Sequence, residues 1–201
     1  MSNKDRYHNK YEKMSLTGSF FDELDVTFSK PLDKKQIGDN SSEDSPVALR
    51  YAMISDSGFI RRLSRDVFTI YGPYDEILSK WFNIDKGVST VIAYQNSTQI
   101  GFAMLSEPFD RYDLQDVSEL LGLAVEPKKQ KNGVGKLLLD SIDKICESLN
   151  IKWVLLHTAV DNVPAQKLYK KFGYRPLEIK RNFYPEGQDA LVMCKAVKKI
   201  F

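Results

Sequence analysis

Residues 121–136 read LGLAVEPKKQKNGVGK. An apolar run ending at Val125 enters a polar loop that carries Gly133 and Gly135. Val134, Leu138, Ile142, Ile145 and Leu149 then recur along one helical face. The spacing predicts a strand over 118–125, a loop, and a long helix over 133–149. Free N–H groups at a helix start, beside glycines that let the backbone come close, bind phosphate oxygens. Lys128, Lys129, Lys131 and Lys136 surround the loop with positive charge. The Gly-Lys-Ser/Thr ending of a nucleotide P-loop is missing, and so is GxGxxG. On these residues alone, an ordinary strand-to-helix turn reads the same way.

A second stretch has the same grammar. Residues 153–162, WVLLHTAVDN, run as a strand into a polar turn. Pro164 sits where a first helical turn tolerates it, Ala165, Leu168, Tyr169 and Phe172 share one face, and Gly173 stops the helix. A strand over 152–159 and a helix over 164–172 follow.

Outward from these units, 47–54 reads as a strand and 56–70 as an amphipathic helix capped by Ser55 or Asp56. The helix is broken by Tyr71-Gly72-Pro73-Tyr74, and a short helix over 75–83 comes next. Strands over 88–95 and 99–106 flank a hairpin turn at Asn96-Ser97, and strands near 176–183 and 189–196 close the chain. The order is an α/β domain with a mixed sheet over 47–201. Residues 1–46 form an N-terminal extension, polar except for an apolar island at Phe20, Phe21, Leu24, Val26 and Phe28.

Composition narrows the function. The 201 residues are 42% hydrophobic and 28% charged, enough for a sizeable core and against global disorder. Twenty-nine Lys+Arg against 27 Asp+Glu lack the basic excess of a dedicated nucleic-acid binder. No apolar run has the length of a membrane span, and the N-terminus lacks the apolar segment of a secretory signal. Cys146 and Cys194 are too few for a disulfide scaffold and lack metal-ligand spacing, so no metal is expected. A cytoplasmic protein is expected, with no nucleic-acid or membrane partner; a homo-oligomer is left open.

Gln130-x-x-Gly133-x-Gly135, followed about thirty residues later by Asn162-x-x-Ala165-x-x-Leu168-Tyr169-x-x-Phe172-Gly173-Tyr174, resembles the GNAT superfamily of acetyl-CoA-dependent N-acetyltransferases. The resemblance implies a mostly antiparallel sheet of about seven strands flanked by helices, with two central parallel strands that splay apart. It implies that Gln130, Lys131, Asn132, Gly133, Val134, Gly135 and Lys136 cradle the pyrophosphate of acetyl-CoA. The preceding strand (Leu123, Ala124, Val125) would carry a bulge and pair with the pantetheine arm. Asn162 would hydrogen-bond the cosubstrate, and Tyr169 would stand beside its sulfur.

The chemistry needs a neutral amine, so a base must take its proton, usually through water. It also needs donors for the oxyanion, for which backbone N–H groups at the bulge are suited. Glu119, eleven residues before Gln130, stands where related acetyltransferases often carry a base. His157, five residues before Asn162, matches a histidine of protein N-terminal acetyltransferases. A solvated carboxylate and a structural histidine are the plainer readings of these two. Glu126 is a weaker candidate, more simply a solvent-facing neighbour of Pro127. Residues 180–193, KRNFYPEGQDALVM, look like the tail of the ribosomal-protein-alanine and N-α-acetyltransferase branch, with Phe183 where a tyrosine is common. That likeness puts Tyr71 and Pro73 on one wall of a peptide cleft and Tyr184 on the other, with a protein or peptide N-terminus as acceptor. A small amine such as a polyamine or antibiotic, or a non-catalytic CoA-binding module, are the alternatives.

Overall fold

In the computed structural model, residues 45–83, 87–106, 108 and 116–197 are described. The expected N-terminal extension lies, but for its last two residues, outside them.

The chain enters the sheet at β1 (Ala48–Tyr51), shorter than the predicted strand. The cause is Asp56, whose carboxylate accepts from the Met53 N–H at 2.7 Å and so turns the chain into a 3-10 turn over 54–56. The same carboxylate takes both Arg50 guanidinium nitrogens, at 2.7 and 2.8 Å, and Gln99 Nε2 at 2.9 Å. Asp56 therefore does not cap the following helix with its side chain; it fastens the β1 end to Gln99 instead. Helix α1 (Ser57–Phe68) and helix α2 (Tyr74–Asn83) follow, separated by a 3-10 turn over 69–71.

Strands β2 (Val88–Gln95) and β3 (Thr98–Ser106) form the predicted hairpin. Asn96 and Ser97 both take positive φ, 49° and 62°, the backbone that matches a two-residue turn to the sheet's twist. Next come β4 (Val117–Val125), α3 (Val134–Ser148), β5 (Trp153–Ala159), α4 (Val163–Lys171), β6 (Arg175–Lys180) and β7 (Ala190–Ala196). One seven-stranded sheet results, in the order β1-β2-β3-β4-β5-β7-β6. Only β4 and β5 pair in parallel; the other neighbours are antiparallel. The mixed, mostly antiparallel α/β sheet expected from the sequence is the one found.

Both faces are covered. Phe59, Ile60 and Leu63 of α1 and Leu78 of α2 pack on Ile92, Phe102, Met104 and Ala124. On the opposite face, Leu138, Ile142 and Ile145 of α3 and Tyr169 of α4 pack on Val91, Ala103, Leu105, Val154 and Leu156. Each fully buried Leu or Ile of this kind contributes roughly 1.5–3 kcal/mol. Among the described residues no helix is long and apolar enough to cross a membrane.

The Arg50 guanidinium holds the buried Asp56 carboxyl down to about 2, from an ordinary 3.8. A depressed carboxyl contributes stability above its unfolded pKa and loses it as pH falls through the folded value. Asp56→Asn should therefore cost about 2 kcal/mol or more at pH 7. The gap to wild type should narrow as pH falls from about 4 to about 2, which urea melts at pH 7 and at low pH will measure.

Candidate active site

The site begins with a fault in β4. Met104 pairs with Gly122 but Leu105 pairs with Leu120, so Leu121 is an extra residue and β4 bends there. Parallel pairing of β4 with β5 runs from Val117↔Trp153 to Leu120↔Leu156 and stops, although both strands continue. Beyond the bulge the strands diverge, and a cleft of about 980 Å³ opens between them.

The register sets what faces the apex. Glu119 lies opposite Leu155, so Glu119, Leu155 and His157 share a sheet face. Glu119 Oε1 is 2.7 Å from His157 Nδ1, and both side chains are only 8% exposed. The Glu119 N–H is held by Ser106 Oγ at 2.9 Å, which anchors the strand just before the bulge. Phe183 lies flat on the imidazole, with ring centroids 4.4 Å apart and planes 4° from parallel. Lys180 Nζ is 3.1 Å from the other ring nitrogen, Nε2.

At one end of the cleft is the glycine loop. Gly133, with φ +83°, precedes α3 without a side-chain cap, and a Cβ built there would meet nothing within 4 Å. The first amides of α3 thus open onto unfilled space, as an anion site requires. Gln130, Lys131, Gly133, Gly135 and Lys136 line the cleft, with Lys171 of α4 on the other side. Gln130 Nε2 donates to the Val125 carbonyl at 3.0 Å and ties the loop to the end of β4.

At the other end two loops meet. β6 stops at Lys180, three residues before its predicted end, because Asn182 takes a left-handed φ of 48° and its N–H goes to Asp189 at 2.9 Å. Arg181 pairs with the same aspartate. This turn sends Phe183 and Tyr184 inward. Tyr184 packs on Tyr71 (centroids 4.9 Å) and Tyr74 (5.9 Å), and Gln188 Nε2 donates to the Ile70 carbonyl at 2.6 Å. Gly72, with φ +125°, presses on Pro185 so closely that an added Cβ would lie 2.7 Å from the proline Cβ.

Known proteins share this framework. A sequence profile described as the Acetyltransferase (GNAT) family matches residues 58–174. The chain belongs to the GNAT acetyltransferase family.

An N-alpha-acetyltransferase of Sulfolobus acidocaldarius is 27% identical over 169 residues, covering 79% of this chain and 97% of that protein. A ribosomal protein bS18-alanine N-acetyltransferase of Salmonella typhimurium is 32% identical over 81 residues, 39% of this chain. The chain spans little more than half the length of that relative, 55%, and of a Bacillus subtilis relative named for the same reaction, 54%. Among solved structures, the ribosomal-protein-S18-alanine N-acetyltransferase of Escherichia coli has a TM-score of 0.65 at 21% identity, covering 78% of this chain and 97% of that one. Arabidopsis thaliana NAA60, solved with acetyl-CoA, also has a TM-score of 0.65 at 21% identity, over 76% and 99%. These two establish a shared fold.

Within this GNAT framework, Glu119, His157, Tyr169, Leu123, Val125, Gln130, Lys131, Gly133, Gly135, Lys136, Asn162, Tyr71 and Tyr184 all line the cleft. Ala124 and Val134 do not; their side chains are buried in the two cores, which leaves only their backbones for a ligand. Asn132 is exposed and stands off the lining. Pro73 is likewise exposed and off the cleft, its carbonyl spent on the first amides of α2. Tyr71 and Tyr184 are not opposite walls of an open groove. They are in contact and buried, so nothing fits between them, and together they form one rim. Asn162 Oδ1 accepts from the Ala165 N–H at 3.2 Å, capping α4. Glu126 faces away and pairs with Arg62 at 2.7 Å.

Lys180, Lys171 and Trp81 escaped the sequence reading, and Phe183 entered it only as a missing hydroxyl. No local pattern marks them: Trp81 and Lys171 reach the cleft from helices and Phe183 from the turn after β6, while Lys180 meets His157 from the end of β6.

The contact between the two loops has a direct test. Gly72→Ala imposes both a strained φ and a clash with Pro185, a cost of about 1–3 kcal/mol. Hydrogen exchange at residues 69–74 and 183–188 should accelerate together, while exchange in α3 stays at the wild-type rate.

Proposed function

We propose that the chain transfers an acetyl group from acetyl-CoA to the α-amino group of a protein N-terminus. The observation that carries this reading is the character of the acceptor end. Phe68, Tyr71, Tyr74, Phe183 and Tyr184 line it, with Glu119 and His157 at the apex. A polyamine would favour several carboxylates, but Glu119 and Asp140 are the carboxylates among the described lining residues, and Asp140 stands on α3. Aromatic side chains suit a peptide backbone with a small first residue, and they keep water from the amine. The near full-length similarity to an archaeal N-alpha-acetyltransferase supports the same choice.

The residues fit acetyl-CoA by their own chemistry. The uncapped start of α3, the open space over Gly133 and the nearby Lys131, Lys136 and Lys171 suit its phosphates. Past the bulge the two strands no longer pair, so the β4 edge at Leu123 and Val125 has backbone groups for an amide-bearing arm. Bound there, the cosubstrate supplies an activated acyl group as a thioester.

The chain's own groups then have separate tasks. The Glu119–His157 pair collects the proton that the amine must lose, directly or through water. The backbone N–H groups at the Leu121 bulge donate to the oxygen that gains charge. Burial pushes the Tyr169 hydroxyl up to about 12, so it stays protonated at neutral pH and can donate to a departing thiolate. Burial likewise pushes the Cys146 thiol up to about 12, inside the core, which suits direct transfer without a cysteine intermediate.

Gly133→Asp should abolish CoA binding, because a charged side chain would fill the space at the helix start. Calorimetry on the folded variant checks this, and unchanged affinity would remove the assignment.

For the acceptor, kcat/KM on Ser-, Ala- and Met-initiated peptides should exceed that on spermidine. Glu119→Gln should lower peptide kcat by roughly 10²-fold with acetyl-CoA affinity unchanged. A preference for spermidine would favour the small-amine reading. Acetyl-CoA binding with no turnover on either panel would favour a binding module.

A further inference from the structure

The site holds a lysine that the mechanism above does not use. Lys180 ends β6, with β7 between it and His157. Lys180 pairs with Ala190, Ala190 with Ala159, and Val192 with His157, so all five lie on one sheet face. Ala190 is fully buried and small, which leaves a path over β7 for a four-carbon side chain. Lys180 Nζ ends 5.9 Å from the centroid of the Phe183 ring and 3.1 Å from His157 Nε2.

An ammonium can only donate. Nε2 must therefore present its lone pair to Lys180, and the single proton of a neutral imidazole must sit on Nδ1. From Nδ1 it points to Glu119 Oε1 at 2.7 Å. The chain runs in one direction, Lys180 to His157 to Glu119, and both ring nitrogens are engaged. The charged groups around the ring agree with this. Glu119 comes from β4, and Glu178, 3.7 Å from Lys180, leaves the lysine its reach. Arg181 is drawn away by Asp189. With Phe183 flat on the ring, the imidazole cannot turn over without displacing the stack.

We propose that Lys180 is a positioning residue: it holds His157 as the Nδ1–H tautomer, which orients Glu119 and leaves this carboxylate, rather than the imidazole, to collect the proton of the acceptor amine. The proposal rests on the N-α-acetyltransferase reading for its acceptor, but the state of the ring is a property of the enzyme alone. His157 in this arrangement resembles a bracket: it donates one hydrogen bond and accepts another.

Two histidines, His8 and His157, make the measurement simple. In ¹⁵N-labelled full-length protein, two-bond nitrogen–proton correlations report which ring nitrogen carries the proton, and a His8→Gln variant identifies the His157 signals. At pH 7.5 the wild type should show Nδ1 protonated and Nε2 bare. Lys180→Met should lose that signature and lower kcat on an Ala-initiated peptide about tenfold, with acetyl-CoA affinity unchanged. Lys180→Arg should restore both. His157→Asn, which keeps a donor toward Glu119 but cannot take a proton, should retain more of kcat than Glu119→Gln does.

A wild-type ring protonated on Nε2 or on both nitrogens would overturn the proposal. So would a Lys180→Met protein with unchanged tautomer and kcat, or a His157→Asn loss equal to that of Glu119→Gln. If the ring behaves as expected while no peptide is acetylated, the role of Lys180 in setting the tautomer stands and the acceptor assignment falls.

Discussion

Parallel pairing between β4 and β5 lasts four residues, and the rest of the site depends on its ending there. The extra residue at Leu121 puts β4 out of step with β3, so the strand bends away from β5 while β3 still holds its far end through Ala103↔Leu123 and Gly101↔Val125. A sheet that stayed paired would have no cleft. A sheet that opened earlier would lose the register that sets Glu119 beside His157. The bulge thus fixes two things together: where space opens, and which side chains stand at its apex.

The apex combines burial with polarity, which is costly unless every polar group is matched. An uncompensated buried carboxylate or imidazole would destabilise the sheet by several kcal/mol. Here Glu119 and His157 compensate each other, Ser106 holds the backbone next to the carboxylate, and Lys180 meets the remaining ring nitrogen. Stacking on Phe183 covers the face of the imidazole that would otherwise meet solvent.

The two ends of the cleft are built on different principles. The glycine-loop end uses backbone groups and an absence of side chain, so it is open and suited to a charged ligand. The other end uses side chains from two loops far apart in the chain, Tyr71 on Tyr184 and Gly72 on Pro185, so its wall is aromatic. A rim of aromatic rings thus shares this end of the cleft with Glu119.

Sequence alone determined the features that arise from neighbours along the chain. The helical spacing of Val134, Leu138, Ile142 and Ile145 follows from 3.6 residues per turn, the hairpin at Asn96-Ser97 from turn chemistry, and the open helix start at Gly133 from glycine's left-handed freedom. The paired motifs around Gln130 and Asn162 then carried the fold and most of the cleft lining. Tertiary structure alone decided the contacts made across the sheet. Gln188 and Ile70 meet over 118 residues, Lys180 reaches His157 over a strand that lies between them, and Tyr71 touches Tyr184 where the sequence placed them apart. Pro73 stands off the cleft lining for the same reason: its turn was legible, but what that turn meets, Pro185 against Gly72, was not. The physical reason is that local periodicity sets which face a side chain takes, while strand order and register set what that face meets.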